Sequence, residues 1–449
     1  MKTAAWQVFY HLEILFSFLT MATGLAAQEP IRLQERFPVG YQYHVTTKVD
    51  LTGTLTPPAE KGQPATKPLP VKGEGAIEYD ERVLSVNAEG QVQKTLRICR
   101  RTEIKRTVGD QPQEATLRPA VRRLVLLRNG STEVPFSPDG PMTWAELDLI
   151  RTDVFTPALA GFLPERPVRP GDRWDATVAA VKELTDLEKI EEGKITCQLD
   201  QITTLEKRRY ARVTFAGSVK GINEDGPSRQ TLEGFFYFDL ESNHLSYLTL
   251  KGVHSLLQND KEVGRNEGRL VLTRQVHSRC KELSDEALKG LVVEPNADNT
   301  LLLYDDNPDL GVRFLYPRRW PVAWVKGNQV ALEGADGNGL LLTIDPASRV
   351  PTGNRFLAES REEMEKMKAK VLRTDPPHKL DGTPPLEHFA LEVELANQKF
   401  VMDYYVILQA NGGATVAARL PSNDLVALRR EAQRVAWSVV ITRKLDERK

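Results

Sequence analysis

Between residues 40 and 280 apolar and polar residues alternate almost without pause, and no other feature restricts the fold of this chain so strongly. Alternation places successive side chains on opposite faces, so the stretch reads as strand after strand, each with one buried and one solvated face. Tyr41–Leu55 is rich in Thr, Val and Tyr. Residues 73–86 and 91–104 follow, joined by a turn at Asn87–Gly90. In residues 121–136 the pair Asn129-Gly130 between apolar runs predicts a two-residue hairpin. Asn129-Gly130-Ser131 also matches a glycosylation sequon, which the hairpin already accounts for. Residues 209–221 place Ala211, Val213 and Phe215 on one face, with Arg212 and Thr214 on the other. Residues 231–240 are apolar on both faces at Phe235–Phe238, which predicts a central strand; residues 246–256 and 268–278 complete the set. Thr56–Pro70, with its prolines, Ala and Lys, predicts an exposed loop.

One helical interruption is expected at 143–160. Thr143 and Glu146 have the spacing of a capping box, and Trp144, Leu147, Leu149 and Ile150 follow as its apolar residues. Pro157 breaks or restarts the helix, and Phe162–Trp174, with three prolines and a Gly-Asp turn, closes the interruption. The fold expected for residues 28–280 is an antiparallel β domain, an open barrel or sandwich, with this short helical insertion.

Residues 281–300 read as a polar linker with one helical turn after Ser284. The rhythm then changes to α+β. Strands are expected at 301–304, 311–316, 322–332, 339–345, 387–395, 399–409 and 413–420, with a helix at 355–371. A final helix begins near Ser422 or Asn423, with Leu425, Leu428, Ala432, Val435 and Val439 on one stripe. Val312, Phe314 and Tyr316 share a strand face, Pro317 stops the pairing, and Trp320 folds back as an aromatic plug. This Phe314-to-Trp320 run, the order of elements and the closing AQRVAWSVVI resemble the PsbP-like fold. The resemblance covers about residues 300–442 and implies a docking or accessory module without shared catalytic residues; residues 443–449 are a tail. PVRPGDRW and LEGFFYFDLES make residues 28–280 similar to uncharacterised, exported, β-rich bacterial proteins, which implies no activity.

Export is the expectation for the N-terminus. Residues 1–27 combine Lys2, an uncharged apolar run from Ile14 to Leu25, and small residues at Gly24, Ala26 and Ala27. That is the make-up of a cleaved signal peptide, and the run is short of the roughly 20 residues a membrane span takes. An uncleaved N-terminal membrane anchor is the second reading, because His11 and Glu13 precede the run. The mature protein is expected to be periplasmic or extracellular, without a transmembrane span. Sixty Lys+Arg against 61 Asp+Glu give a net charge of -1, which argues against nucleic acid as a partner.

Cys99, Cys197 and Cys280 are too few for a disulfide framework. Cys197 shares phase with Ile195 and Leu199 and reads as core; Cys99 shares phase with Arg97 and Arg101 and reads as surface. No His pair has metal-ligand spacing, and Asp305, Asn307 and Asp309 fail the calcium-loop template at Leu310 and Tyr316. Gly334–Gly339 reads as a hairpin turn. No nucleophile elbow or phosphate-binding loop is present. Neither cofactor nor metal is expected, and no catalytic residue stands out.

The expected function is that of a non-catalytic exported protein, a binding or envelope-associated accessory module whose partner is a protein or a cell-envelope component. A second reading is a carrier of a hydrophobic, lipid-like ligand in a β-sheet cavity lidded by residues 143–163, with Trp144, Leu147, Phe155 and Phe162 as the lid. A third is a hydrolase with a site assembled from distant residues.

Overall fold

The computed structural model describes residues 29–445 except 58–66, 130–131, 277–278, 306, 308, 336 and 422. The expected signal segment 1–27 lies outside the described residues, as do Gly130 and Ser131 of the sequon. Twelve strands form one antiparallel sheet. They are β1 (Gln42–Leu55), β2 (Leu69–Val86), β3 (Val92–Val108), β4 (Gln111–Thr116), β5 (Arg123–Asn129), β6 (Thr132–Phe136), β7 (Arg173–Asp175), β8 (Lys189–Leu205), β9 (Arg208–Asn223), β10 (Gly226–Asp239), β11 (His244–Gln258) and β12 (Lys261–Val276). Their order is β6-β5-β3-β2-β1-β12-β11-β10-β9-β8-β7, with β4 paired to β3. β6 and β7 end the path without meeting, so the sheet is open rather than a closed barrel. β5 and β6 pair from Asn129 against Thr132, as the two-residue hairpin requires. β4 is an addition to the expected strands; Pro112 donates no ladder bond, which an edge strand tolerates.

The inner face of the sheet is apolar and is covered by the helical segment. α1 (Trp144–Arg151) begins with the predicted capping box, and a 3-10 turn (Thr156–Phe162) restarts at Pro157. Phe162 packs on Phe215 with ring centroids 5.3 Å apart, and Phe155, Leu159, Phe236 and Leu248 belong to the same buried cluster. α2 (Val178–Thr185) was not expected from sequence. Thr177 caps it through Ala180 N–H, and Asp186 ends it in the left-handed region. Its short, β-branched apolar run carries the signature of a strand as well as of a helix.

Cys99 does not take the surface position expected for it. It is 5% exposed and faces the core beside Arg97. Glu78 pairs with Arg101 and Tyr79 with Cys99, so Arg100 is an extra residue that reverses the phase of β3. Cys197 is buried as expected, and all three cysteines are free.

The stretch expected as a linker does not hang free. Leu283 is fully buried against Leu96, Ile98, Val125 and Phe136, so residues 280–293 cover one corner of the outer sheet face. Ser284 caps α3 (Asp285–Leu288).

Beyond it lie β13 (Leu302–Tyr304), β14 (Val312–Tyr316), β15 (Val322–Lys326), β16 (Gln329–Glu333), β17 (Gly339–Asp345), α4 (Gly353–Lys366), β18 (Lys370–Leu380), β19 (Leu386–Leu395), β20 (Gln398–Gln409), β21 (Gly412–Pro421), α5 (Leu425–Ser438) and β22 (Val440–Ile441). β13-β14-β22 form one sheet and β15-β16-β17-β21-β20-β19-β18 another. Residues 322–332 are a hairpin instead of one strand, because Gly327 turns the chain at φ +57°. The helix expected to reach Val371 stops at Lys366; Lys368 has φ +58° and Val371 already belongs to β18. β18 was missed because its Pro376 and Pro377 argue against a strand, yet it is an edge strand. Trp320 is fully buried in the second core, as the plug reading requires.

The two regions touch through α1. Leu147 packs with Leu302, Tyr304 and Phe314, Met142 bridges Leu302, and Arg318 donates to Pro135 O at 2.6 Å. No helix among the described residues is long and apolar enough to cross a membrane.

A candidate binding surface on the outer sheet face

The outer face is built by the same alternation that builds the core. In β10 the residues Leu232, Phe236 and Phe238 point inward, which forces Thr231, Glu233, Phe235 and Tyr237 outward. Register then sets what lies beside them. One row runs Glu233, Lys251, Arg269, Asp50, Glu74, Lys105 and Glu114 across β10, β11, β12, β1, β2, β3 and β4. Lys251 therefore faces Arg269, and Asp50 faces Glu74. Like charges directly opposite destabilise a sheet. Among the described residues Glu233, Lys251, Arg269, Asp50 and Glu74 form no hydrogen bond or ion pair through their side chains.

The row sits in two adjoining hollows. One, of about 530 Å³, is lined by Asp50, Thr231, Glu233, Lys251, Glu267 and Arg269. The other, of about 250 Å³, shares Asp50 and adds Lys48, Glu74, Arg101, Glu103 and Lys105. Next to the first hollow lies an aromatic floor. Tyr237 has Phe235 at 5.6 Å, Tyr210 at 6.0 Å and Tyr247 at 6.0 Å between ring centroids. All four rings are half-buried rather than sealed. Arg212 lies 4.5 Å over Phe235 and is paired to Asp200. The arrangement offers half-exposed rings, tilted or edge-on to one another, beside free donors and acceptors of both signs.

The strongly perturbed groups lie elsewhere, sealed under the inner face. Glu81 accepts from Tyr43 OH at 2.5 Å, Thr95 Oγ1 at 2.8 Å and Arg97 Nε at 3.2 Å. Arg97 also donates to Asp153 at 2.7 Å and lies 3.6 Å over the Tyr79 ring. Burial pushes Asp153 up to about 6, and the Arg97 charge offsets only part of it. Burial likewise raises Glu35, which is paired to buried Arg274. Burial raises the Cys99 thiol to about 11 and Cys197 to about 12, away from thiolate reactivity. A general acid or nucleophile must reach its substrate, and the side chains of Asp153 and Glu35 are only 1% exposed, with Cys99 and Cys197 buried as well.

In the second region Asp403 is buried and accepts from Arg429 at 2.7 and 3.0 Å, with His388 Nε2 at 3.4 Å. Burial pushes its carboxyl up, but His388 and Arg429 outweigh that and hold it below the usual range. His378 stacks edge-on to His388 at 5.1 Å. Among the described residues no three His, Cys, Asp or Glu groups are placed to hold a metal.

The four residues expected as a lid are divided. Phe155 and Phe162 are buried in the first core, Leu147 is buried in the second, and Trp144 is 40% exposed with Arg151 over its ring. α1 turns its Leu147 side toward the second region, so the four do not share one surface. Sequence reasoning missed the outer surface, although residues 231–240, apolar on both faces, carried its signal.

No family model and no curated protein matches the chain. Among solved structures the chain is similar to cyanobacterial PsbP (CyanoP) from Synechocystis sp. PCC 6803, at 18% identity and a TM-score of 0.24, over 31% of this chain and 92% of that one. It is similar to lipovitellin at 8% identity and a TM-score of 0.32, over 65% of this chain and 29% of that one. DynF from Micromonospora chersina aligns at 8% identity and a TM-score of 0.14, over 55% of this chain and 86% of that one. None of these likenesses fixes a function here.

Proposed function

We propose that the chain is an exported, non-catalytic accessory protein that binds a cell-envelope component across the outer face of its large sheet. It comprises a β-sheet unit at residues 28–280 and a PsbP-like α+β unit at 301–442, with 281–300 between them. The segregation of the three sheets along the chain supports the two units. One observation carries the binding reading: a half-exposed aromatic cluster stands beside Glu233, Lys251, Arg269, Asp50 and Glu74, charged side chains of both signs that pair with no protein group among the described residues. The filled interior beneath Phe155 and Phe162 favours this surface over an internal lipid-like ligand.

The test is co-sedimentation of the purified full chain with isolated cell envelopes. The native chain should pellet, and a Phe235→Ser/Tyr247→Ser variant should remain in the supernatant. Equal behaviour of the two would overturn the surface. Clean turnover in an esterase, peptidase and glycosidase screen would overturn the non-catalytic half. A reporter fused to residues 1–27 that stays in the cytoplasm would overturn export.

A further inference from the structure

We infer that the occupant of the outer face is a neutral polysaccharide chain, stacked on the aromatic floor and hydrogen-bonded by the charged row. The inference rests on the binding reading above and gives it a ligand class. Three features converge. Tyr210, Phe235, Tyr237 and Tyr247 lie half-exposed on the same face of the sheet, tilted 35° to 75° against one another, with Arg212 over the Phe235 ring. The C–H faces of a sugar ring are apolar and lie flat on such rings, while its hydroxyls remain at the rim. Beside the rings, Thr231, Glu233, Lys251, Arg269 and Asp50 supply donors and acceptors, and the latter four have no protein partner among the described residues.

Charge decides between ligand classes. The 530 Å³ hollow carries Lys251 and Arg269 against Asp50, Glu233 and Glu267, which is close to neutral. A polyanion would meet three carboxylates, and a nucleic acid needs a basic excess that this face lacks. An acyl chain needs a wide apolar patch, but the floor is interrupted by Arg212 and Thr249. A hydroxylated neutral chain uses both signs of charge as hydrogen-bonding groups and asks for no net charge. From Tyr210 on β9 to Asp50 on β1 the surface spans four strand spacings, about 19 Å, so several sugar rings fit along it.

The experiment is native affinity electrophoresis of the full chain in gels containing hydroxyethyl cellulose, glucomannan, soluble starch or, as the polyanion, heparin. Retardation by at least one neutral polymer is expected. Tyr247→Ala and, separately, Lys251→Ala/Arg269→Ala should each weaken it roughly tenfold or more, as loss of a central contact does. Val426→Ser, 75% exposed on α5, should leave it unchanged. The charge variant alters only solvated side chains, so it keeps the test open if Tyr247→Ala misfolds. Retardation by heparin alone, by no polymer, or equally in all variants overturns the inference. Envelope co-sedimentation that survives such a result would leave the binding surface standing and remove only the polysaccharide.

Discussion

Asp153 and Asp403 are both buried, both hydrogen-bonded to arginine, and titrate in opposite directions. Under the large sheet one guanidinium, Arg97, serves two carboxylates, Glu81 and Asp153. The cluster is short of positive charge, and desolvation wins at Asp153. In the second region Arg429 gives both its bonds to Asp403, with His388 alongside, and there the partners win. Depth matters less than the count of opposite charges per carboxylate.

Removing the shared cation should break the comparison most severely. Arg97→Met leaves Glu81 and Asp153 buried without a counter-charge and should cost about 3–5 kcal/mol, read from denaturant unfolding. The pH dependence comes next. Asp153 rises from 3.8 to about 6, so the folded state binds its proton more tightly than the unfolded chain does. Its contribution is unfavourable above pH 6 and disappears as pH falls toward 3.8. The native chain should therefore gain about 1–3 kcal/mol on Asp153→Asn between pH 7 and pH 4, by paired thermal melts. Asp403 should run the other way: its contribution is present above 3.8 and is lost as pH falls through its lowered folded value. His244, held down near 4 mainly by burial, also removes stability between pH 6.5 and 4, so only variant differences isolate Asp153.

Arg429→Met should cost less than Arg97→Met, about 1–2 kcal/mol, because the Arg429 side chain is 37% exposed and water can replace part of it. A smaller cost, or none, would sharpen the point by assigning the work to His388. The smallest effect on stability is at the outer face. Lys251→Ala removes the like-charge contact with Arg269 and the opposite-charge contact with Glu233 together, so stability should change by no more than about 0.5 kcal/mol in a denaturant melt, while binding to the outer face weakens.

Much of the architecture is local and was legible. The β5–β6 hairpin, the Thr143–Glu146 capping box, the Pro157 restart, the inward face of β9 and the buried Trp320 each follow from a few neighbouring residues. The failures have a common cause. Cys99 was placed outside because one extra residue, Arg100, reverses the phase of β3, and a bulge carries no compositional mark. β4 and β18 are not legible as strands because proline argues against a strand until the strand is known to be an edge. Arg97 reads as a surface residue in the sequence because its carboxylate partners, Glu81 and Asp153, lie 16 and 56 positions away.

By itself the sequence determined which residues alternate, where the chain turns and which faces must be buried, because those depend on neighbours a few positions apart. Only the tertiary structure decided that Lys251 stands against Arg269, that Leu147 leaves its helix neighbours for the second core, and that four aromatic rings form one floor. Those are matters of register and packing between distant strands, and a shift of one residue in any pairing would have sent the same side chains to the opposite face.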